Sequence, residues 1–172
     1  MKNNFLQNLY LWLSLISLPI TAFSQSTDFT IQDVKFESQG ITLAGSILKP
    51  KNPFAAVVIV HGSDPVKREM EFAKRLAKEG IAVLTYDKRG VGESGGIYVG
   101  PSVGTNNIDT TNLNLLSSDA NAAVNTFRTY LKDKKIPIGL VGYSQAGWII
   151  PITASKNPQI EFMVLFSCPT IT

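Results

Sequence analysis

Four short and predominantly apolar runs constrain the fold of this chain more than any other feature. They occupy residues 55–60, 81–86, 136–141 and 162–166, and β-branched side chains are frequent in them. A strand that is apolar at every position is typical of a sheet buried on both faces. Stretches with helical spacing separate the runs. We therefore predict an α/β fold with a mostly parallel sheet and helices on both of its faces.

The limits of the first two helices are predicted from capping residues. Asp64 can cap a helix with Pro65 at its first position, and Gly80 can end it. Ser117 or Ser118 can cap the next helix, whose apolar stripe follows at helical spacing. Both helices then fit between successive buried strands.

Two runs with alternating polarity precede the apolar runs. Residues 29–36 alternate imperfectly, and residues 41–47 alternate regularly, with Gly40 directly before the second run. Period-two patterns separated by a short turn predict an antiparallel hairpin. We expect this hairpin to lead into the parallel sheet.

The first 24 residues have the features of a signal peptide. Lys2 supplies a positive charge, residues 9–20 form an apolar core, and Ala22 and Ser24 suit a cleavage site before Gln25. The core is too short for a free membrane-spanning helix. We therefore expect an exported protein, periplasmic or secreted, without a stable membrane span after cleavage. A retained N-terminal anchor is the alternative.

The remaining residues, 25–172, are predicted to form one domain. The formal net charge of the chain is only +3, and no basic stripe is present, which argues against nucleic acid as a partner. Cys168 is the only cysteine, so the chain has no intrachain disulfide.

The strongest chemical motif is the sequence Gly-Tyr-Ser-Gln-Ala-Gly at residues 142–147. It follows an apolar strand and precedes a predicted helix over residues 145–155, which is the context of a G-x-S-x-G nucleophile. Such a turn exposes the serine hydroxyl at a helix N-terminus. Ala146 replaces the second glycine of the motif. Ser144 is therefore the candidate nucleophile, and a surface turn that merely contains a serine is the alternative.

A second motif, His61-Gly62-Ser63, ends the first buried strand. Acyl transfer needs two backbone N–H donors that are fixed before the oxyanion forms. We expect one from Gln145, directly after the candidate nucleophile, and the other from Ser63. His61 is the only histidine of the chain, and we expect it to shape this loop rather than act as the general base.

A third motif, the glycine-rich stretch at residues 86–96, contains Asp87 and Arg89. We expect these two side chains to brace the turn and not to react. The glycine spacing fits neither G-x-G-x-x-G nor the Walker pattern, so nucleotide binding is not favoured.

With these motifs in their order, the chain resembles the α/β-hydrolase superfamily, and most of all bacterial esterases and serine peptidase-like hydrolases. The resemblance covers residues 34–169 and the first six strands of the fold. It implies Ser144 as nucleophile and Ser63 and Gln145 as oxyanion donors. It also implies that Gly142 and Tyr143 belong to the site together with the loop of His61 and Gly62, that the substrate is a small ester or peptide-like molecule, and that no metal or organic cofactor is needed.

The chain departs from this family after the serine. The family's triad runs Ser, then Asp or Glu, then His along the sequence. No histidine follows Ser144, and Glu161 is the only acid that does. We therefore expect a hydrolase cut off before its acid and base, with residues 162–166 as an unprotected edge strand. A peptidase or thioesterase of the same fold, and a non-catalytic binding protein that keeps the fold, are the alternatives.

Overall fold

The computed structural model describes residues 29–99, 109–133 and 135–168. The predicted signal peptide and its cleavage site lie outside these residues. The described part contains six strands and three helices, which in chain order are β1 (Phe29–Ser38), β2 (Ile41–Pro50), β3 (Ala55–Val60), α1 (Met70–Lys78), β4 (Ile81–Tyr86), α2 (Thr110–Leu131), β5 (Ile138–Tyr143), α3 (Ala146–Lys156) and β6 (Phe162–Phe166).

The six strands form one sheet in the order β1-β2-β4-β3-β5-β6. β1 and β2 are an antiparallel hairpin, and β2 also pairs antiparallel with β4. The pairs β3–β4, β3–β5 and β5–β6 are parallel. This confirms the predicted fold class, including the hairpin. The carboxyl ends of β3, β4 and β5 lie side by side, and open α/β sheets bind ligands at these strand ends.

Helices cover both faces of the sheet. α2 and α3 pack on one face around Phe127, which is fully buried, while α1 covers the other face through Ala73 and Ala77. Burying a side chain as large as Phe127 contributes roughly 1.5–3 kcal/mol. Within the described residues, no helix combines the length and apolarity required to cross a bilayer.

The predicted start of α1 at Asp64 and Pro65 is wrong. The helix begins at Met70, and Glu69 precedes it without a side-chain cap. The backbone N–H of Arg68 donates to the Asp87 carboxylate at 2.8 Å. The N–H of Glu69 donates to the Thr85 hydroxyl at 2.9 Å. Because these donors are satisfied by the end of β4, the segment 64–69 gains little from helical hydrogen bonds.

The predicted start of α2 at Ser117 or Ser118 is also wrong. The helix begins at Thr110, where the side chain of Asp109 accepts a hydrogen bond from the N–H of Asn112. Ser117 lies inside the helix, and its hydroxyl accepts a hydrogen bond from Thr153 of α3 at 3.1 Å. In the sequence Ser117 resembles a capping residue, because its hydrogen-bond partner, Thr153, is distant along the chain.

The two edges of the described sheet differ in character. β1 carries charged side chains at Asp33, Lys35 and Glu37. β6 has the sequence Phe-Met-Val-Leu-Phe, and four of its side chains are 40–47% exposed. Charges protect an edge strand against pairing with another chain, whereas an apolar edge has no such protection.

Candidate active site

Ser144 occupies the turn that joins β5 to α3. Its backbone is left-handed, with φ of +54°, and the residue is exposed. This conformation is uncommon for a residue other than glycine and costs on the order of 1–3 kcal/mol. The N–H of Ser144 donates to the carbonyl of Ser167, just after β6, at 3.2 Å. The candidate nucleophile is therefore held at the tip of a strained turn at the carboxyl edge of the sheet.

The small residues around Ser144 allow the strand and the helix to meet. A Cβ at Gly142 would lie 2.5 Å from the Cβ of Ala146 and 2.6 Å from the carbonyl oxygen of Val60. Both distances are far below van der Waals contact, so only glycine fits at this position. Packing therefore requires glycine at the first position of the G-x-S-x-G motif, Gly142. It tolerates the methyl group of Ala146 at the fifth position.

The loop of His61, Gly62 and Ser63 lies against this turn. A Cβ at Gly62 would be 3.2 Å from the ring of Tyr143 and 3.6 Å from the Cβ of Ser144. The end of β3 and the end of β5 are thus in direct contact, as their adjacent places in the sheet require. The two sequence motifs therefore lie side by side in the structure.

Lys88, to which the sequence analysis gave no role, lies between these two motifs. Its side chain is only 3% exposed. The ammonium donates to the carbonyl oxygens of Gly62 at 2.6 Å and Ser63 at 3.1 Å, and to Oε1 of Gln145 at 3.2 Å. Burial lowers the pKa of Lys88 to about 8. Its position directly after a buried strand, beside the glycine-rich loop, is the sequence signal that could have identified it.

Lys88 brings the two predicted oxyanion residues together, because it contacts Ser63 and Gln145 at once. The carbonyl of Ser63 also accepts a hydrogen bond from the hydroxyl of Tyr98 at 2.7 Å. The N–H of Ser63 donates to no acceptor among the described residues, so it is available to a ligand there. Gln145 is 5% exposed and directly precedes α3.

His61 is held away from a catalytic role by its own contacts. It is 2% exposed, and its Nε2–H donates to the backbone carbonyl of Tyr86 at the end of β4. Nδ1 has no hydrogen-bond partner in the described part of the chain, and it lies 3.8 Å from Oε1 of Glu69. Among residues 29–99, 109–133 and 135–168, no histidine or acid side chain hydrogen-bonds to the hydroxyl of Ser144.

Glu69 links the loop of His61 to the residue before Ser144. Its Oε1 accepts a hydrogen bond from the hydroxyl of Tyr143 at 2.9 Å. The interaction with His61, followed by that with Tyr143, holds the pKa of Glu69 below its usual value despite partial burial. Burial and the Glu69 carboxylate raise the pKa of Tyr143 to about 12. Glu69 therefore connects His61 to Tyr143, the residue before the turn at Ser144. No sequence motif marks Glu69.

Of the two side chains that we expected to brace the glycine-rich turn, Asp87 contacts it, whereas the hydrogen bonds of Arg89 go elsewhere. Asp87 accepts hydrogen bonds from the N–H of Glu93 and from Arg68. Burial raises the pKa of Asp87, but these hydrogen bonds outweigh it, and the pKa lies below its usual value. Arg89 pairs instead with the buried Asp119 of α2, with Nε 2.9 Å from one carboxylate oxygen. Both side chains are fully engaged in the fold.

Glu161 lies at the amino ends of the parallel strands, on the side of the sheet opposite to Ser144. Its carboxylate accepts a hydrogen bond from the N–H of Ile138, where β5 begins, at 3.2 Å. It also pairs with Arg128 of α2 at 3.2 Å. Ser144 follows the other end of β5, so Glu161 is separated from it by the length of the strand.

Comparison with known proteins agrees with this geometry. The chain matches the family described as serine aminopeptidase, S33 (Hydrolase_4), over residues 51–172. No curated protein matches the chain in sequence.

Solved structures share the fold. An esterase of Pyrococcus furiosus, PF2001, is 25% identical with a TM-score of 0.63, over 82% of this chain and 51% of its own. The hypothetical protein PA2218 of Pseudomonas aeruginosa is 23% identical with a TM-score of 0.63, over 86% and 45%. A dienelactone hydrolase of Anabaena variabilis is 18% identical with a TM-score of 0.62, over 81% and 64%.

The chain spans about half the length of the first two of these structures. The family match covers well over half of this chain, and the mostly parallel sheet with its antiparallel hairpin matches the α/β-hydrolase neighbours. The chain therefore belongs to the serine aminopeptidase, S33, family of α/β-hydrolases.

Proposed function

We propose that this chain is part of an exported serine hydrolase that cleaves carboxylic esters through an acyl-enzyme on Ser144. The observation that carries the proposal is the exposed, left-handed serine at the β5–α3 turn, with the loop of residues 61–63 packed against it. A strained turn of this kind has a use in catalysis, where it presents the hydroxyl to a substrate carbonyl.

The reaction follows from the groups around Ser144. The hydroxyl oxygen attacks the ester carbonyl while its proton passes to a base, and the carbonyl oxygen becomes an oxyanion. The backbone N–H groups of Ser63 and Gln145 stabilise that charge. The carbon–oxygen bond to the alcohol then breaks, and the alcohol leaves with the proton. Water, activated by the same base, cleaves the acyl-enzyme. No step uses a metal or a cofactor.

The base and its acid partner are proposed to lie in sequence beyond these 172 residues. His61 is the only histidine of the chain, and its Nε2–H is committed to the Tyr86 carbonyl. Glu161 lies beside the start of β5, at the opposite end of that strand from Ser144. A serine without a base is a weak nucleophile. We therefore propose that the 172-residue chain alone is essentially inactive and that the complete reading frame encodes a late Asp or Glu and a late His.

An ester substrate is preferred because the esterase of Pyrococcus furiosus is among the similar structures. The family description names an aminopeptidase, so peptide substrates are the second candidate. Thioesters would use the same groups. A non-catalytic binding protein is the contrasting function, and it gives the turn at Ser144 no role.

The test uses the protein expressed from its complete reading frame, beside the 172-residue chain. We expect the complete protein to hydrolyse p-nitrophenyl acetate or butyrate with kcat of about 1–1,000 per second. Leucine p-nitroanilide tests the aminopeptidase. Ser144→Ala should abolish turnover, while Ser155→Ala, an exposed serine on α3, is the matched control.

A fluorophosphonate probe adds a direct readout, since it should modify Ser144 in the complete protein, as seen by peptide mass spectrometry. Turnover that survives Ser144→Ala would refute the proposed nucleophile. A complete protein with neither turnover nor labelling would favour the binding protein.

Export is proposed from the N-terminal sequence, with cleavage between Ser24 and Gln25. Mass spectrometry of the exported product should show Gln25 as the first residue. A mature protein that still contains Trp12 would support a retained anchor instead.

A further inference from the structure

The ammonium of Lys88 is a buried charge without a carboxylate partner. Within the described residues no acid lies within ion-pairing distance of it, and its three hydrogen bonds all go to uncharged oxygens. Burying an ion in this way is unfavourable, and an apolar side chain of the same length would avoid the cost. The charge of Asp64 favours the ammonium only from beyond that distance, so the reason for a lysine here lies in the three groups that it binds.

The bond to Gly62 fixes the direction of a neighbouring donor. In a trans peptide the carbonyl and the following N–H point to opposite sides. The described chain has no cis peptide bonds. Because Lys88 holds the carbonyl of Gly62 at 2.6 Å, the N–H of Ser63 must point away from the ammonium. The same hydrogen bond opposes rotation of this peptide plane, which would turn the N–H of Ser63 away from the site.

The bond to Gln145 links the second side of the site. Nζ of Lys88 lies 3.2 Å from Oε1 of Gln145, the residue that follows Ser144. A single ammonium therefore cross-links the end of β3 to the start of α3. The ring centroid of Tyr98 lies 5.5 Å from Nζ of Lys88, and the Tyr98 hydroxyl also donates to the Ser63 carbonyl.

We propose that Lys88 is the positioning residue of the oxyanion site: it fixes the Gly62–Ser63 peptide so that the N–H of Ser63 is oriented before the substrate arrives, it ties this loop to the side chain of Gln145, and it adds positive potential there. This inference rests on the proposed function of Ser144. Donors that are oriented in advance stabilise the transition state more than the bound ester, since the negative charge develops only during the reaction.

The experiment compares three forms of the complete enzyme: wild type, Lys88→Met and Lys78→Met. Lys78 is exposed on α1 and serves as the matched control. Loss of a whole oxyanion donor lowers kcat by about 100- to 1,000-fold. For Lys88→Met, which only releases the donors, we expect kcat to fall roughly 10- to 100-fold with KM within about threefold of wild type. Lys78→Met should match wild type in both parameters.

The folded fraction of each variant is measured by circular dichroism. If Lys88→Met does not fold, Lys88→Gln, which keeps an N–H donor but is shorter and uncharged, takes its place and should also lose kcat selectively. A wild-type kcat in the folded variant overturns the inference, as does a loss that only follows the folded fraction. Failure of both variants to fold also overturns it, because the ammonium then serves the fold itself.

The proposed function fails in a different way. In that case the wild-type complete enzyme itself shows no turnover that depends on Ser144, and no difference between Lys88→Met and Lys78→Met is measured.

Discussion

Gly142 and Ala146 approach each other so closely that a Cβ at Gly142 would lie 2.5 Å from the Cβ of Ala146. Gly142 is the second-last residue of β5, and Ala146 is the first residue of α3. The turn at Ser144 is closed by this contact. The methyl group of Ala146 is tolerated because the residue opposite it has no side chain.

The first prediction is that Gly142→Ala disrupts the turn. The added methyl would also lie 2.6 Å from the carbonyl oxygen of Val60, which is backbone and cannot rotate away. Overpacking of this kind costs typically 1–3 kcal/mol, and we expect a loss in the free energy of unfolding at or above that range. Urea unfolding of the 172-residue chain measures it.

Ala146→Gly is the control for this prediction. It removes a methyl group at the helix start and restores glycine at the fifth position of the motif, so its cost should not exceed about 1 kcal/mol. Equal stability of Gly142→Ala and wild type would contradict the close contact.

The second prediction concerns His61. Replacing it by leucine, which has no hydrogen-bond donor, should lower the free energy of unfolding by about 1–3 kcal/mol, because the buried Tyr86 carbonyl loses its donor. The kcat of the complete enzyme should fall less than tenfold after correction for the folded fraction. Loss of a general base removes about 100- to 10,000-fold. A loss of that size, with a changed pH profile, would show that His61 is the base.

The third prediction is a stability that rises with pH through Lys88. Burial holds its folded pKa at about 8, below the usual value of 10.5, although the charge of Asp64 acts in the opposite direction. Between those values the unfolded chain binds more protons than the folded one, so the free energy of unfolding increases as pH rises. From about pH 8 to 9.5 the gain should be about 2 kcal/mol.

Lys88→Met lacks this titrating group. The difference in the free energy of unfolding between wild type and Lys88→Met at each pH therefore separates the contribution of Lys88 from that of the other titrating groups. Urea unfolding at several pH values is the measurement. Parallel stability curves for wild type and Lys88→Met would contradict the lowered pKa.

The fourth prediction is that the 172-residue chain associates through β6. Met163 and Leu165 are 47% and 40% exposed on a strand that pairs only with β5 in the described sheet. An apolar edge offers free backbone groups to another chain. Light scattering after gel filtration should show association in wild type and a shift towards monomer when both residues are replaced by threonine.

Ile31→Thr is the matched variant on the other edge strand, β1, where Ile31 is 50% exposed. It should associate like wild type. If the β6 variant associates to the same degree as Ile31→Thr, association does not use this edge.

The sequence by itself determined the strands and their order in the chain. A run such as residues 55–60 is apolar at every position and rich in β-branched side chains, and over so few residues that pattern is typical of a strand buried on both faces. The turn at Ser144 was predictable for the same local reason, because glycine and alanine around a serine between a strand and a helix leave few conformations open.

Tertiary structure decided the features that depend on distant partners. α1 begins at Met70 and not at Asp64, because Asp87 and Thr85 take the backbone donors before it. Lys88 looks like a surface lysine in the sequence, yet the fold buries it against Gly62 and Gln145, 57 residues away along the chain in the second case. A sequence pattern reports periodicity within one segment, whereas the partners of a polar side chain are fixed only when segments pack together.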